Sequence, residues 1–396
     1  MPFSDDVAIV GGCGRVGLPL GLALADRGRS VVLYDRNAEA VDTVSAGKLP
    51  FAEDGAEDVM ARVGGTRLRA TTHAAEVANA EHVIVVIGTP VDEHLNPDPD
   101  AVPRSVEQLA PHLRDGQLLV LRSTLYPGVT ALVERLIERL AVAVDVAFCP
   151  ERIAEGKAMT ELFDLPQIVA ARSEKATVRA ERLFSSLTST TVRLSPEEAE
   201  LAKLFTNTWR YIKFATANQL YMIANDFDLD YGRIRDAMML DYPRAADLPG
   251  PGFAAGPCLL KDTMQLAAFN NNNFVLGHAS MLVNEGLPLY VVSRLERQYD
   301  LASTSVAVLG MAFKAGSDDT RDSLSYKLRR ILRFKAKEVV CTDPYVTTDG
   351  DLVPLEVALA RADVLVIAAP HEQYRTLETD KPVVDLWGLR GHGTSI

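Results

Sequence analysis

Apolar residues near the start of the chain come in short unbroken blocks. VAIV at 7–10 passes through GGCGRVG into the alanine- and leucine-rich stretch LPLGLALADRG, and SVVLYD at 30–35 follows. A β-branched block, a glycine turn and an apolar helical stretch predict a strand–turn–helix unit leading to a second strand that ends at Asp35. The block pattern returns in EHVIVVIG (81–88), QLLVLRS (117–123) and VDVAFCP (144–150), with helical segments between. Strands buried on both faces and alternating with helices predict an α/β fold with a doubly wound parallel sheet. Ligands of such sheets sit beyond the carboxyl ends of the strands.

The pattern changes near residue 195. In SPEEAELAKLFTNTWRYIKFATANQLYMIANDFDL, Ser195 is placed as N-cap, Pro196 in the first turn and Glu198 at the third position, followed by about thirty residues without a helix breaker. One long helix is predicted, opening a mostly helical stretch that reaches residue 298. Then the opening pattern returns: SVAVLGMAF (305–313) echoes VAIVGGCG, KEVVCTDPY (337–345) echoes SVVLYDRN, ADVLVIAAP (362–370) echoes EHVIVVIGTP, and KPVVDLWG (381–388) adds a fourth strand. The expected organisation is two nucleotide-binding-like sheet domains, 1–194 and 299–396, joined by a helical domain, 195–298. The Asn270–Asn273 run reads as a polar helix break or loop.

Composition narrows the function. The 396 residues carry Lys+Arg 41 against Asp+Glu 53, a net charge of −12, so the surface as a whole does not steer toward nucleic acid or an anionic membrane. The start lacks a basic leader, and no apolar run approaches the ~18 residues that would span a bilayer; a cytoplasmic protein is expected. Cys13, Cys149, Cys258 and Cys341 stand far apart, and the seven histidines form no paired-ligand spacing. Neither a disulfide framework nor a metal site is expected.

Gly12-Cys13-Gly14-Arg15-Val16-Gly17 fits GxGxxG between a strand and a helix, where backbone N–H groups and the helix dipole can meet a pyrophosphate. Asp35, at the end of the next strand, is placed to accept hydrogen bonds from an adenosine ribose, which favours NAD over NADP; Arg36 beside it pulls the other way. A tight turn without a ligand is the alternative. After Gly310 the second domain lacks the three glycines and instead carries Lys314 and Arg321, ahead of a helix start near Asp322 or Ser323. That suits a phosphate-bearing ligand other than a second dinucleotide; a charged loop in which DDTRD pairs with itself is the equal alternative.

Lys203 and Asn207 lie four apart on one face of the long helix, either solvated or able to stabilise an oxyanion. Cys258 follows the glycine- and proline-rich loop GPGFAAGP and opens a predicted helix with Asp262 one turn on. A helix start favours the thiolate form of a cysteine, whereas a buried structural thiol is the other reading.

Taken in order, GGCGRVG, GTPVDEHLNPD, RSTLYPGVT, FCPERIAEGKA, KLFTNTWRYIKFATANQ, DYPRAADLPGPGFAAGPCLLKD, GMAFKAGSDDTRDS and CTDPY resemble the UDP-glucose/GDP-mannose dehydrogenase family, nucleotide-sugar 6-dehydrogenases, over nearly the whole chain. The resemblance implies two Rossmann-like domains around a long central helix, and oxidation of a hexose C6 alcohol by two NAD through an aldehyde, a thiohemiacetal and a thioester. Cys258 would be the nucleophile, Lys203 and Asn207 the oxyanion pair, and Asp262 the acid that orders water. Thr124 and Glu151 would stand near the water and the second-step base. It also implies cofactor contacts from Gly12, Cys13, Gly14, Arg15, Val16, Gly17, Asp35, Arg36, Thr89, Pro90 and Thr124. Substrate contacts would come from Glu151, Arg152, Lys203, Asn207, Arg244, Phe253, Gly256, Lys314 and Arg321. Arg244 would reach across a homodimer or larger assembly. GFAAGPC in place of a GYGG-type segment, and PERIAEGKA in place of PEFLREG, depart from the family's usual wording, and PER with GPCLLKDT looks more like the branch acting on UDP-N-acetylhexosamines, UDP-N-acetylmannosamine above all, than the UDP-glucose branch. UDP-glucose is the alternative substrate. A single-oxidation dehydrogenase and a non-catalytic nucleotide-sugar-binding protein are the alternatives in function.

Overall fold

The structure, a computed structural model, describes residues 3–391 and 396. By packing, the chain divides into two compact units, Met1–Phe205 and Thr206–Ile396. Among the described residues no helix is long and apolar enough to cross a membrane.

The first unit is built on eight strands: β1 (Asp5–Val10), β2 (Val31–Tyr34), β3 (Leu68–Thr71), β4 (Ala80–Val85), β5 (Leu118–Leu121), β6 (Asp145–Phe148), β7 (Gln167–Ala170) and β8 (Thr191–Leu194), in the order β3-β2-β1-β4-β5-β6-β7-β8. The first six pair in parallel, as the apolar blocks at β1, β2, β4, β5 and β6 predict. β7 then pairs with β6 antiparallel and with β8 in parallel, so the sheet is extended at one edge in the reverse direction. Because strand side chains alternate between faces, Val7 and Ile9 enter one core while Ala8 and Val10 enter the other. That is why the strand reads as a continuous apolar block.

The glycine turn follows from backbone crowding. Gly11 adopts φ +77°, and a Cβ there would stand 2.0 Å from the carbonyl oxygen of Val86; a Cβ on Gly17 would stand 2.4 Å from the carbonyl oxygen of Gly11. Only glycine lets β1 pass so close to the loop after β4 and turn into the helix Gly17–Asp26.

The long helix Pro196–Asp226 starts as predicted: Ser195 N–H donates to the Glu198 carboxylate (2.8 Å), and Glu198 N–H donates to Ser195 Oγ (3.3 Å). Buried Glu200, near its start, accepts from the N–H groups of Gly128 (2.6 Å) and Thr130 (2.8 Å), fixing the helix onto the N-terminus of the helix Val129–Leu140.

In the second unit β9 (Ser305–Leu309), β10 (Glu338–Thr342), β11 (Val364–Ile367) and β12 (Val383–Asp385) form an all-parallel sheet in the order β10-β9-β11-β12. One of its faces shares a core with the helical segment, where Tyr221, Leu287 and Val291 join Val306 and Val308. Gly310 takes the place that Gly11 has in the first sheet, with φ +94° and a Cβ that would lie 2.6 Å from that of Ala369.

The loop before Cys258 is pinned by buried amides. Asn218 donates to Gly252 O (3.0 Å) and accepts from Gly252 N–H (2.9 Å); it also donates to Asn284 Oδ1 (2.9 Å), while Asn284 donates to Tyr211 O (3.1 Å). Both asparagines are fully buried, so each bond lost leaves a polar group without water to replace it. Asn284→Ala is expected to destabilise the second unit by about 1–3 kcal/mol, read as a lower urea midpoint; an unchanged midpoint would show the network to be dispensable.

Candidate functional site

The predicted site residues fall in both units. In the first, the carboxyl ends of β1 and β2 carry the glycine turn and Asp35. The Asp35 carboxylate accepts from the N–H groups of Cys13 (3.0 Å) and Asn37 (3.0 Å), which sets the acid directly against the glycine loop. Gly14 keeps an open outer face, the nearest atom to a Cβ there being Gly11 O at 3.4 Å. A glycine cradle at a helix start, closed on one side by a strand-end acid, fits a dinucleotide. Cys13 is buried within this turn, Val16 is the N-cap of the helix, and Arg36 is exposed. Arg15 points away to Glu155 (2.7 Å) and lies over the Phe51 ring (5.0 Å). Thr89 and Thr124 meet at the ends of β4 and β5, where the Thr89 hydroxyl donates to Thr124 O (2.9 Å); Pro90 is exposed.

Glu151 is buried and engaged at both oxygens. One accepts from Arg122 Nε (2.9 Å) and Nη2; the other accepts from the N–H groups of Arg152 (2.7 Å) and Ile153 (3.0 Å). Arg122, with its side chain wholly buried, also donates to Cys149 O (3.1 Å) and Gln167 Oε1 (3.1 Å) and sits over the Phe184 ring. Sequence reasoning misses this arginine, and its position at the end of β5, in RSTLYPG, is the available signal. Arg152 turns its guanidinium to Pro166 O.

In the second unit, Cys258 is exposed and is the N-cap of the helix Leu259–Phe269, as its loop-then-helix setting predicts. One turn on, Asp262 is wholly buried, accepting from Asn207 Nδ2 (2.5 Å) and paired with Lys261 (2.9 Å). A buried amide, a buried carboxylate and an exposed thiol thus converge at one helix start. Lys203, a turn before Asn207 on the long helix, belongs to the first unit and is buried.

The other predicted residues of this unit lie around the same loop and on its surface. Phe253 is buried in the apolar core with Tyr221 and Leu287. Gly256 has φ +96°, and a Cβ there would lie 2.5 Å from the Phe313 ring, while its N–H donates to Asp322 O (3.3 Å). The cysteine loop therefore packs against the 311–322 loop, which carries Lys314 and Arg321. Arg321 is chelated by Asp319 (2.6 to 3.0 Å), so the self-paired reading of DDTRD holds for that arginine. Lys314 lies over Phe313 (5.5 Å). Arg244 is exposed, resting on the Tyr242 ring (4.8 Å) and donating to its hydroxyl (2.9 Å).

The remaining cysteines differ from Cys258 in kind. Burial pushes the thiols of Cys13 and Cys149 up to about 12 and that of Cys341 up to about 11; the Asp35 charge adds to the effect at Cys13. At neutral pH all three stay protonated.

Profiles of the UDP-glucose/GDP-mannose dehydrogenase family match three successive stretches: its NAD binding domain at residues 5–188, its central domain at 197–285 and its UDP binding domain at 307–389. UDP-N-acetyl-D-mannosamine dehydrogenase of Pyrococcus horikoshii is 30% identical over 381 residues, covering 92% of this chain and 90% of that protein. NDP-N-acetyl-D-galactosaminuronic acid dehydrogenase of Ralstonia nicotianae is 29% identical over 408 residues, covering 96% and 95%. The structure of a UDP-glucose dehydrogenase from Pyrobaculum islandicum superposes with a TM-score of 0.88 at 28% identity, covering 96% of this chain and 94% of that one.

The contrast among the thiols is directly testable. Iodoacetamide at pH 8 should alkylate Cys258 alone in the native protein and all four cysteines in urea, read by peptide mass spectrometry. Native labelling of Cys13, Cys149 or Cys341 at a comparable rate would overturn the distinction.

Proposed function

The chain belongs to the UDP-glucose/GDP-mannose dehydrogenase family, and from that premise we propose that it oxidises the C6 alcohol of a UDP-N-acetylhexosamine, UDP-N-acetylmannosamine in first place, to the uronate, with Cys258 as covalent nucleophile. The observation that carries this reading is the pairing of the chain's one exposed cysteine, at a helix start, with a buried carboxylate and amide one turn away. The named relatives divide over the sugar, and the P. horikoshii protein, acting by its name on UDP-N-acetyl-D-mannosamine, supports the hexosamine.

NAD, when bound, supplies the hydride acceptor for each of the two oxidations. The glycine turn and Asp35 hold the adenosine end. Lys203 and Asn207 stabilise the alkoxide as the C6 alcohol gives up its proton, and the first hydride loss leaves an aldehyde. The Cys258 sulfur adds to the aldehyde carbon, and its proton ends on the oxygen. This thiohemiacetal keeps the intermediate from escaping and still carries a C6 hydrogen, whose loss as hydride together with release of the hydroxyl proton gives the thioester. Water ordered by Asp262, with Thr124 and Glu151 in support, cleaves the C–S bond, releasing the carboxylate and regenerating the thiol. Since both Glu151 oxygens are engaged, its contribution is to orient and to hold charge rather than to act as a freely swinging base.

Exposed apolar side chains of the second unit support a homodimer or larger assembly: Trp209, Phe227, Leu240, Val275, Leu282 and Leu289 are each more than half exposed. Arg244, standing out on the same unit, is the residue proposed to reach a neighbouring substrate.

The deciding experiment is NADH formed per mole of limiting UDP-sugar, over UDP-N-acetylmannosamine, UDP-N-acetylglucosamine, UDP-glucose and UDP-galactose. Two per mole with the mannosamine is expected; one per mole would make it a single-oxidation dehydrogenase, and two with UDP-glucose alone would reassign the sugar. Cys258→Ser should retain UDP-sugar and NAD binding while uronate formation falls by orders of magnitude; wild-type turnover would return Cys258 to a structural role. Sedimentation should show a dimer or larger species, and a fully active monomer would sink the assembly.

A further inference from the structure

The second sheet holds a buried histidine–carboxylate hydrogen bond for which the reaction above has no use. Asp343, at the end of β10, stands where Asp35 stands in the first sheet, and one of its oxygens accepts from the N–H groups of Met311 (2.6 Å) and Ala312 (2.9 Å) at the start of the 311–322 loop. The other accepts from the N–H groups of Tyr345 (2.8 Å) and Val346 (3.0 Å). His371, just past β11, places Nε2 3.1 Å from the first of these oxygens, and both side chains are wholly inaccessible. Its other nitrogen, Nδ1, lies 3.1 Å from the backbone nitrogen of Gly316, in the middle of the same loop.

The chemistry leaves one tautomer. Gly316 N–H can only donate, so Nδ1 accepts and carries no proton; the proton is on Nε2 and is donated to Asp343. A neutral imidazole thus bridges a fixed carboxylate and a loop backbone. The Tyr345 ring (5.0 Å) and the Tyr374 ring (5.8 Å, edge-on) hold its plane. Burial works to raise the Asp343 carboxyl, but the His371 bond and the backbone N–H groups outweigh it and hold the group below the usual carboxylate range.

We propose that His371 is a positioning residue for the nucleoside-diphosphate end of the substrate, tying the middle of the 311–322 loop to Asp343 and so fixing where Lys314 and Arg321 stand. Gly316 lies two residues after Lys314 and five before Arg321, so the tie acts at the centre of the segment that carries both cations. The inference rests on the reading of this loop as the nucleotide site, and it adds a residue that the glycine-and-cation motif does not contain. Asparagine and glutamine divide the two arms of the tie. The short carboxamide introduced by His371→Asn puts its oxygen near the place of Nδ1 and keeps an acceptor for Gly316. The longer carboxamide introduced by His371→Gln reaches toward Asp343 and leaves Gly316 N–H without one.

The test uses the full-length enzyme and UDP as the probe, by calorimetry, together with KM for UDP-sugar and for NAD. His371→Phe, which keeps an aromatic ring and loses both bonds, should weaken UDP at least tenfold and raise KM for UDP-sugar in parallel, with KM for NAD within twofold of wild type. His371→Asn should recover most of the affinity. If the Phe variant does not fold by circular dichroism, His371→Gln takes its place, with the same loss expected. UDP affinity within twofold of wild type in the Phe or Gln variant, or an Asn variant no better than either, would overturn the tie and leave His371 as packing. A wild-type chain that binds no UDP would instead overturn the nucleotide reading beneath it.

Discussion

A carboxylate taken wholly out of water must be met by donors, and Asp262 is the point on which the candidate site of the second unit depends. Its two oxygens face Asn207 on the long helix and Lys261 on its own helix. Removing a donor would strand a buried charge, at a cost of several kcal/mol, so the helix that begins at Cys258 is held in register with the long helix. The thiol sits one turn earlier on that same helix, and its position is set by a bond it does not itself make. The Asn218–Asn284 network does the same for the preceding loop from the other side.

The two sheets show how one turn geometry serves two ligands. Both need a glycine with positive φ where the first strand passes its neighbour, Gly11 against Val86 and Gly310 against Ala369. Both end the next strand in an aspartate that accepts from the loop backbone, Asp35 and Asp343. Beyond that they part. The first continues with Gly14 and Gly17 and keeps the outer face of Gly14 open, whereas the second continues with Phe313, Lys314 and Arg321 and ties its loop to an imidazole at Gly316.

Much of this was legible in the sequence. Strands buried on both faces, the capping box at Ser195, the helix start at Cys258 and the glycine turn all announce themselves within a dozen residues, because local sterics and burial set them. β3, β7 and β8 did not announce themselves. LRAT and TVRL form the sheet edges, with Arg69 and Arg193 facing outward, so the apolar run is broken; QIVA is a short block in a strand that runs antiparallel to β6. Pairings of distant residues were equally silent: Arg122 with Glu151 is 29 residues apart and His371 with Asp343 is 28. No periodicity encodes which charge a fold will bring beneath another. The contact of Arg321 with Asp319 was legible in the DDTRD run, because the two residues lie two apart.

The sorting of the four cysteines has a consequence for the life of the protein under oxidative stress. Three thiols are shielded and held protonated, so peroxide or a mixed disulfide finds its reaction partner at Cys258 alone, the one exposed sulfur. On the nucleophile role proposed for Cys258, damage would then fall first on turnover and leave the core intact. In that role a reversible cap on the sulfur would silence the chain without unfolding it, and a reductant would bring it back.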